Sequence, residues 1–224
     1  YSVAYNAGAI IKIVTNSLNN AIIPWQYRKL EQRKLKDLKK TTFQIMLLVA
    51  ACIMLFILFA PEFMYILASA RYQEAVYVIP PIASSIFFIF MYSIYANIEF
   101  YFDANKFTAV ISLAGALLNL ILNFICVPLF GYIAASYTSL LCYIVYAILH
   151  CLYVKIVVRR KTGQELFDKN MIVLSIGVII LTIIFSLSYL NTVVRYCIIM
   201  GLIIILWHER NQIKRIVKVI KKKK

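Results

Sequence analysis

Acid is what this chain most lacks: its 224 residues hold 9 Asp+Glu against 24 Lys+Arg, a formal charge of +15. Charged residues of both signs make up only 15% of it, so the polar surface a soluble domain of this length needs is missing. Glycine is scarce as well. The six glycines lie at least fourteen residues apart, which excludes phosphate-cradling and dinucleotide-binding loops. Histidine is limited to His150 and His208. Five cysteines (Cys52, Cys126, Cys142, Cys151, Cys197) fall inside apolar runs, odd in number and without C-x-x-C spacing. Neither a disulfide framework nor a metal site is indicated, and they read as apolar fillers. No cofactor is implied. The opening Tyr1-Ser2-Val3 lacks a basic start and is followed by several asparagines, so it does not read as a secretory signal. The chain is expected to be a fragment.

What is present is apolar surface, 63% of residues with a mean hydropathy of +0.83. At ~20 residues per helical span this suffices for about seven spans and little else. The expected fold is an all-α polytopic membrane protein. A first run, 1–23, is apolar at intervals of three and four but carries Asn6, Lys12, Asn16, Asn19 and Asn20, so it predicts a helix with one wet face. A basic loop is expected over 25–40. Further runs cover 41–60, stopped by Pro61-Glu62, then 75–102 with Pro80-Pro81 in its first turns, 107–127, 134–154, 171–189 and 193–207. Between the third and fourth lies a tight polar turn, Asp103-Ala104-Asn105-Lys106.

The cations are not scattered. Seven sit in 25–40, one at Lys106, five in 155–170 and eight in the tail 210–224. Only Arg71 and Arg195 fall in the opposite turns, where they read as surface anchors. By the positive-inside rule the crowded side is cytoplasmic, the first helix runs inward and the C-terminus is cytoplasmic. Topology, with attraction of the tail to anionic membrane lipid, accounts for the +15. Nucleic acid is not an expected partner, because no groove of interleaved aromatics accompanies the cations.

On the first helix Tyr5, Ala9, Lys12, Asn16 and Asn19 recur at spacings of four and three, and so share a face. Lys12 lies twelve residues from Pro24, ~18 Å deep, farther than its stem can snorkel. It should meet an anion or water. Phe88, Tyr92, Tyr95 and Glu99 form a second stripe, suited to stacking on sugars or to core packing. Counting from Ala75 places Glu99 near the cytoplasmic interface, where a solvated carboxylate is cheap; proton coupling is the sharper alternative. His150 has no acid nearby in its own span and reads as a packed helix residue. Asn119 and Asn123 lie one turn apart on one face.

Three stretches together resemble a known family. Ala60-Pro61-Glu62 followed by Tyr72, Ala75 and Val78-Ile79-Pro80 is one. Asn119-Leu-Ile-Leu-Asn123 with Pro128, Gly131 and Ala134-Ala135-Ser-Tyr-Thr138 is another, and Ala21-Ile-Ile-Pro24-Trp-Gln-Tyr27 the third. Their order and spacing are similar to those of Wzx-like oligosaccharide flippases, the O-antigen and capsule repeat-unit translocases of the multidrug/oligosaccharidyl-lipid/polysaccharide exporter superfamily. The resemblance implies the C-terminal half of a two-lobe exporter in the bacterial inner membrane. Residues 1–155 would be second-lobe helices, 156–170 a basic cytoplasmic connector, 171–209 a two-helix extension and 210–224 a basic tail. It also implies flipping of an undecaprenyl-diphosphate-linked oligosaccharide without enzymatic chemistry. The implied partners are that lipid-linked substrate, the missing N-terminal lobe and a polysaccharide polymerase.

In that setting Lys12 would attract the diphosphate, with Asn16, Asn19 and Tyr5 beside it and Tyr92 and Tyr95 along the substrate cavity. Alternatively, Lys12 pairs with a carboxylate or carbonyl of the missing half and the asparagines tie helices together. Some relatives in that superfamily place cation ligands ahead of the proline on the helix corresponding to the one that carries Asn119 and Asn123, with a hydroxyl from the next helix, here Thr138 or Ser139. Amides supply no charge, so helix packing is the competing role. Other functions remain open: a cation-coupled drug exporter, which would want a buried acid, or a membrane polymerase or acyltransferase, which would want an intramembrane His with an acidic partner.

Overall fold

A computed structural model describes residues 2–67, 75–166 and 169–208. Among these residues the chain is all-α, without a strand. Its helices are α1 (Ser2–Glu31), α2 (Leu35–Leu58), α3 (Ala60–Leu67), α4 (Ile79–Tyr101), α5 (Asn105–Phe130), α6 (Ala134–Thr162), α7 (Lys169–Leu187) and α8 (Thr192–His208). Five helices, α2, α4, α5, α6 and α7, are long and apolar enough to cross a membrane. Helix α1 has the length, 30 residues or ~45 Å, but too many polar groups; α8 has 17 residues. The protein is a polytopic all-α membrane protein.

Helix α4 is the axis of the bundle. It packs against α1, α2, α5, α6 and α7, and its apolar residues from Ala83 to Ile98 join one large core with α1, α2, α6 and α7. Side-chain contacts fix the helix directions. Asn19 meets Asn97 and Gly8 lies against Ile82, so α1 runs parallel to α4. Tyr92 meets Tyr143 and Glu99 meets His150, so α6 is parallel too. Helix α7 is antiparallel, with Ser84 on Thr182 and Met91 on Ser175. The α1–α2 turn, the α4–α5 turn and the α6–α7 connection therefore gather at one end, the basic one.

Three expected boundaries move. Residues 25–40 form no long loop: α1 and α2 continue through them and only a three-residue turn separates the two. The reason is burial at helical spacing, since Trp25, Gln26, Leu30, Leu35 and Leu38 face the core while the cations occupy the outer side. Pro24 consequently sits inside α1, and Glu31 lies nineteen residues beyond Lys12, ~28 Å. Helix α6 likewise runs past Val154 to Thr162, because Val157 and Val158 are buried and Arg159, Arg160 and Lys161 suit a helix C-terminus. Gly163, at φ 72°, ends it. Finally, Pro61 does not end the helical path. Helix α3 starts at Ala60, and the Ile57 carbonyl, which Pro61 cannot serve for want of an N–H, accepts the Tyr189 hydroxyl at 2.5 Å.

Candidate functional site

Four polar clusters interrupt this apolar bundle. On α1, Gly8, Thr15, Ile22, Trp25 and Gln26 face the other helices. Lys12, Asn16 and Asn20 follow one another at 40° steps along one flank of that face and are exposed. Ile10 and Val14 occupy the other flank, also exposed. No described residue bonds to the side chain of Lys12 or Asn16. By contrast, the Ser17 hydroxyl is satisfied by the Ile13 carbonyl at 2.9 Å, and Thr15 by Ile11 at 3.0 Å. Among the described residues Lys12 and Asn16 thus stand uncompensated on this helix, as do the exposed Asn6 and Asn20. The Tyr5 side chain lies outside the described residues.

Asn19 parts company with them. It is half-buried in the α1–α4 seam, where Asn97 Nδ2 donates to Asn19 Oδ1 at 2.9 Å and to Gln26 Oε1 at 3.0 Å. Gln26 Nε2 in turn donates to the Ile94 carbonyl at 3.2 Å. The stripe expected as a single wet face is therefore divided into a glued half and an open half.

The second cluster joins α4, α5 and α6 near the basic end. Glu99 is 0% exposed and His150 1%, with Glu99 Oε1 2.8 Å from His150 Nδ1. Thr108 of α5 donates to Glu99 Oε2 at 2.6 Å. Glu99 is not the solvated interfacial carboxylate expected from counting along α4. The chain turns back over it within three residues, with Asp103 at φ 56°, and α5 and α6 seal the site. His150 does have an acid, brought from 51 positions away. Aromatic rings pack around the imidazole: Tyr92 at 5.5 Å, Tyr146 at 6.3 Å and Phe107 edge-on at 6.3 Å. Tyr92 also stacks parallel to Tyr143, and Tyr95 is buried. Both tyrosines sit in the α4–α6 seam.

The third cluster is a ladder between α5 and α6. Thr138 Oγ1 donates to Asn123 Oδ1 at 2.6 Å, Asn123 Nδ2 donates to Asn119 Oδ1 at 2.9 Å, and Asn119 Nδ2 reaches Cys142 Sγ at 3.7 Å. Ser139 does not join it, bonding to the Ala135 carbonyl instead. Each amide oxygen here already accepts from a neighbour, the arrangement of an interhelical seam rather than of ligands turned toward a shared ion. Among the described residues no cluster of three His, Cys, Asp or Glu could hold a metal.

At the opposite end Arg195 of α8 is 5% exposed and pairs with Glu62 of α3, so it is not a surface anchor. Tyr196 donates to the same Glu62 oxygen at 2.6 Å, while Glu62 Oε2 and Arg195 Nε find no partner among the described residues. Arg71 lies outside the described residues. Sequence reading missed Gln26, Asn97, the Glu99–His150 pairing and the Glu62–Arg195 pair. One signal for the last two was available: ionisable residues in or beside apolar runs need partners.

No family model, no curated protein and no solved structure matches this chain. Fold and polar clusters together define a helical membrane protein in which, among the described residues, Glu99 pairs with His150 and Glu62 with Arg195 while Lys12 stands open on α1.

Proposed function

We propose that the chain is the second lobe of a Wzx-like translocase that carries undecaprenyl-diphosphate-linked oligosaccharide from the cytoplasmic to the outer leaflet of a bacterial inner membrane. The observation that carries this reading is the uncovered flank of α1, where Lys12 and Asn16 are exposed without a described partner. A lysine held among lipid tails costs about 2.5–3.5 kcal/mol on insertion scales. A vestibule completed by the facing lobe removes that cost and gives the diphosphate an ammonium and an amide. Such transport needs cations and hydrogen-bond donors and no nucleophile, so the protein is read as a transporter rather than an enzyme. Replacing Lys12 with Ala in the intact protein is expected to abolish polymer export while its membrane level stays unchanged, measured by surface polysaccharide and immunoblot. Unchanged export would contradict the reading.

A second reading has its own support. A cation-coupled exporter of other amphiphiles calls for a buried acid, and Glu99 is one. Drug efflux that survives in cells making no surface polysaccharide, and stops on Glu99→Gln, would favour it.

A further inference from the structure

We infer that Glu99, His150 and Thr108 form a proton-binding latch: the α4–α6 seam closes only over a pair that holds one titratable proton. The argument is charge balance in a sealed site. With one proton shared between the carboxyl and the imidazole, the pair is neutral as a whole, whichever atom carries it. With none, a carboxylate faces a neutral ring; with two, an imidazolium faces a neutral acid. Either leaves one unbalanced charge where both side chains are within 1% of full burial. Thr108 holds the second carboxylate oxygen at 2.6 Å, so the same charge rule reaches α5 through the turn that follows Glu99.

Apart from Glu99, the described contacts around the imidazole are aromatic. Tyr92 from α4 and Tyr146 from α6 meet the ring through their aromatic faces. Cys151, Tyr153 and Lys155 follow on α6, Asp103 and Lys106 lie in the turn and the first turn of α5, and both of these are exposed. Helix α1 brings Tyr27, whose ring lies tilted against that of Tyr101. Helix α2 brings Lys36, Asp37, Lys39 and Lys40 within its first two turns, and α7 brings Lys169 at its start. When the seam opens at the basic end, water reaches the pair and a proton passes between a water molecule and the carboxyl or imidazole, with no other bond changed. A pair emptied or doubly filled while open must regain the one-proton state before α4 and α6 close. As a coupling device this rests on the transport reading above. The proton rule itself belongs to the chain alone, so the two fail separately.

The test measures the α4–α6 distance by spin labels at D103C and R159C, in the 224-residue chain with its native cysteines replaced, held in phosphatidylethanolamine/phosphatidylglycerol nanodiscs. The closed population should be bell-shaped in pH, falling on the order of tenfold or more on both sides. Glu99→Gln leaves a neutral amide beside a neutral ring, so the alkaline fall should disappear and the acid fall remain. His150→Gln should do the reverse, keeping the seam shut in acid and opening it in alkali. Should either variant fail to insert, nitrogen-15 resonances of labelled histidine in the unaltered chain serve instead. His150 is then assigned by its loss in the other variant or by removing His208, and its protonation should track the distance change. A distance that ignores pH, variants that keep the full bell, or a His150 signal that never titrates while the seam moves would overturn the latch. None of these readouts uses a substrate, so a flat profile leaves the export test of Lys12 standing.

Discussion

Glu62 and Arg195 show how much a single residue can carry. Arg195 is 5% exposed and among the described residues its Nε has no acceptor, so the carboxylate of Glu62 is what makes its burial tolerable. Removing that partner strands the guanidinium. Glu62→Leu alone should destabilise the chain by about 3 kcal/mol, at the low end for buried pairs because Glu62 is 30% exposed. The double variant Glu62→Leu with Arg195→Met should recover most of the loss, as read from unfolding in mixed micelles. Equal losses in single and double variants would assign the cost to packing. At this scale the sequence was legible in part. Lys12 stands out in the sequence as a lone cation in apolar surroundings, whereas counting along α4 puts Glu99 at the solvated interface and leaves His150 a packed residue without an acid. The pairings were not legible. Glu99 and His150 are 51 positions apart, Glu62 and Arg195 are 133, and helical periodicity says nothing about which helix faces which.

At the scale of the helix, close approach and hydrogen bonding divide the work along the α1–α4 seam. Interhelical hydrogen bonds in membranes average ~0.6 kcal/mol, so the Asn19–Asn97–Gln26 lattice sets register more than it holds the helices together. Close packing does the holding. A Cβ on Gly8 would stand 2.7 Å from Ile82 Cγ2, a branch atom next to the backbone that cannot swing away. Gly8→Ala should therefore push α1 off α4 and cost about 1–3 kcal/mol despite the better helix former. Adding Ile82→Ala should relieve the clash, and crosslinking between α1 and α4 would report both steps; full crosslinking in the single variant would contradict the account. Helix existence was readable from the apolar runs, whereas helix ends were not. Basic stretches 25–40 and 155–162 look like loops by composition, yet they bury Trp25, Leu30, Leu35, Val157 and Val158 on one side. Tertiary packing overrode the charge signal there.

For the whole molecule, away from the basic end, the described outer surface separates into an apolar majority and a polar strip on α1. Helix α5 exposes Leu113, Leu117, Leu120 and Phe124 along its length, as a lipid-facing helix does, whereas α1 presents amides and an ammonium on an open flank well inside its ends. This contrast is the basis of the translocation reading. It is tested most directly by cysteine accessibility along α1 in native membranes, using an impermeant maleimide on single-cysteine variants of the intact protein. Positions 12, 16 and 20 should label, and do so less when lipid-linked substrate accumulates, while 10, 14 and 21 stay unreactive. Labelling of both flanks alike, or silence at 12 and 16 with reaction at 10 and 14, would contradict a vestibule on that side of the helix.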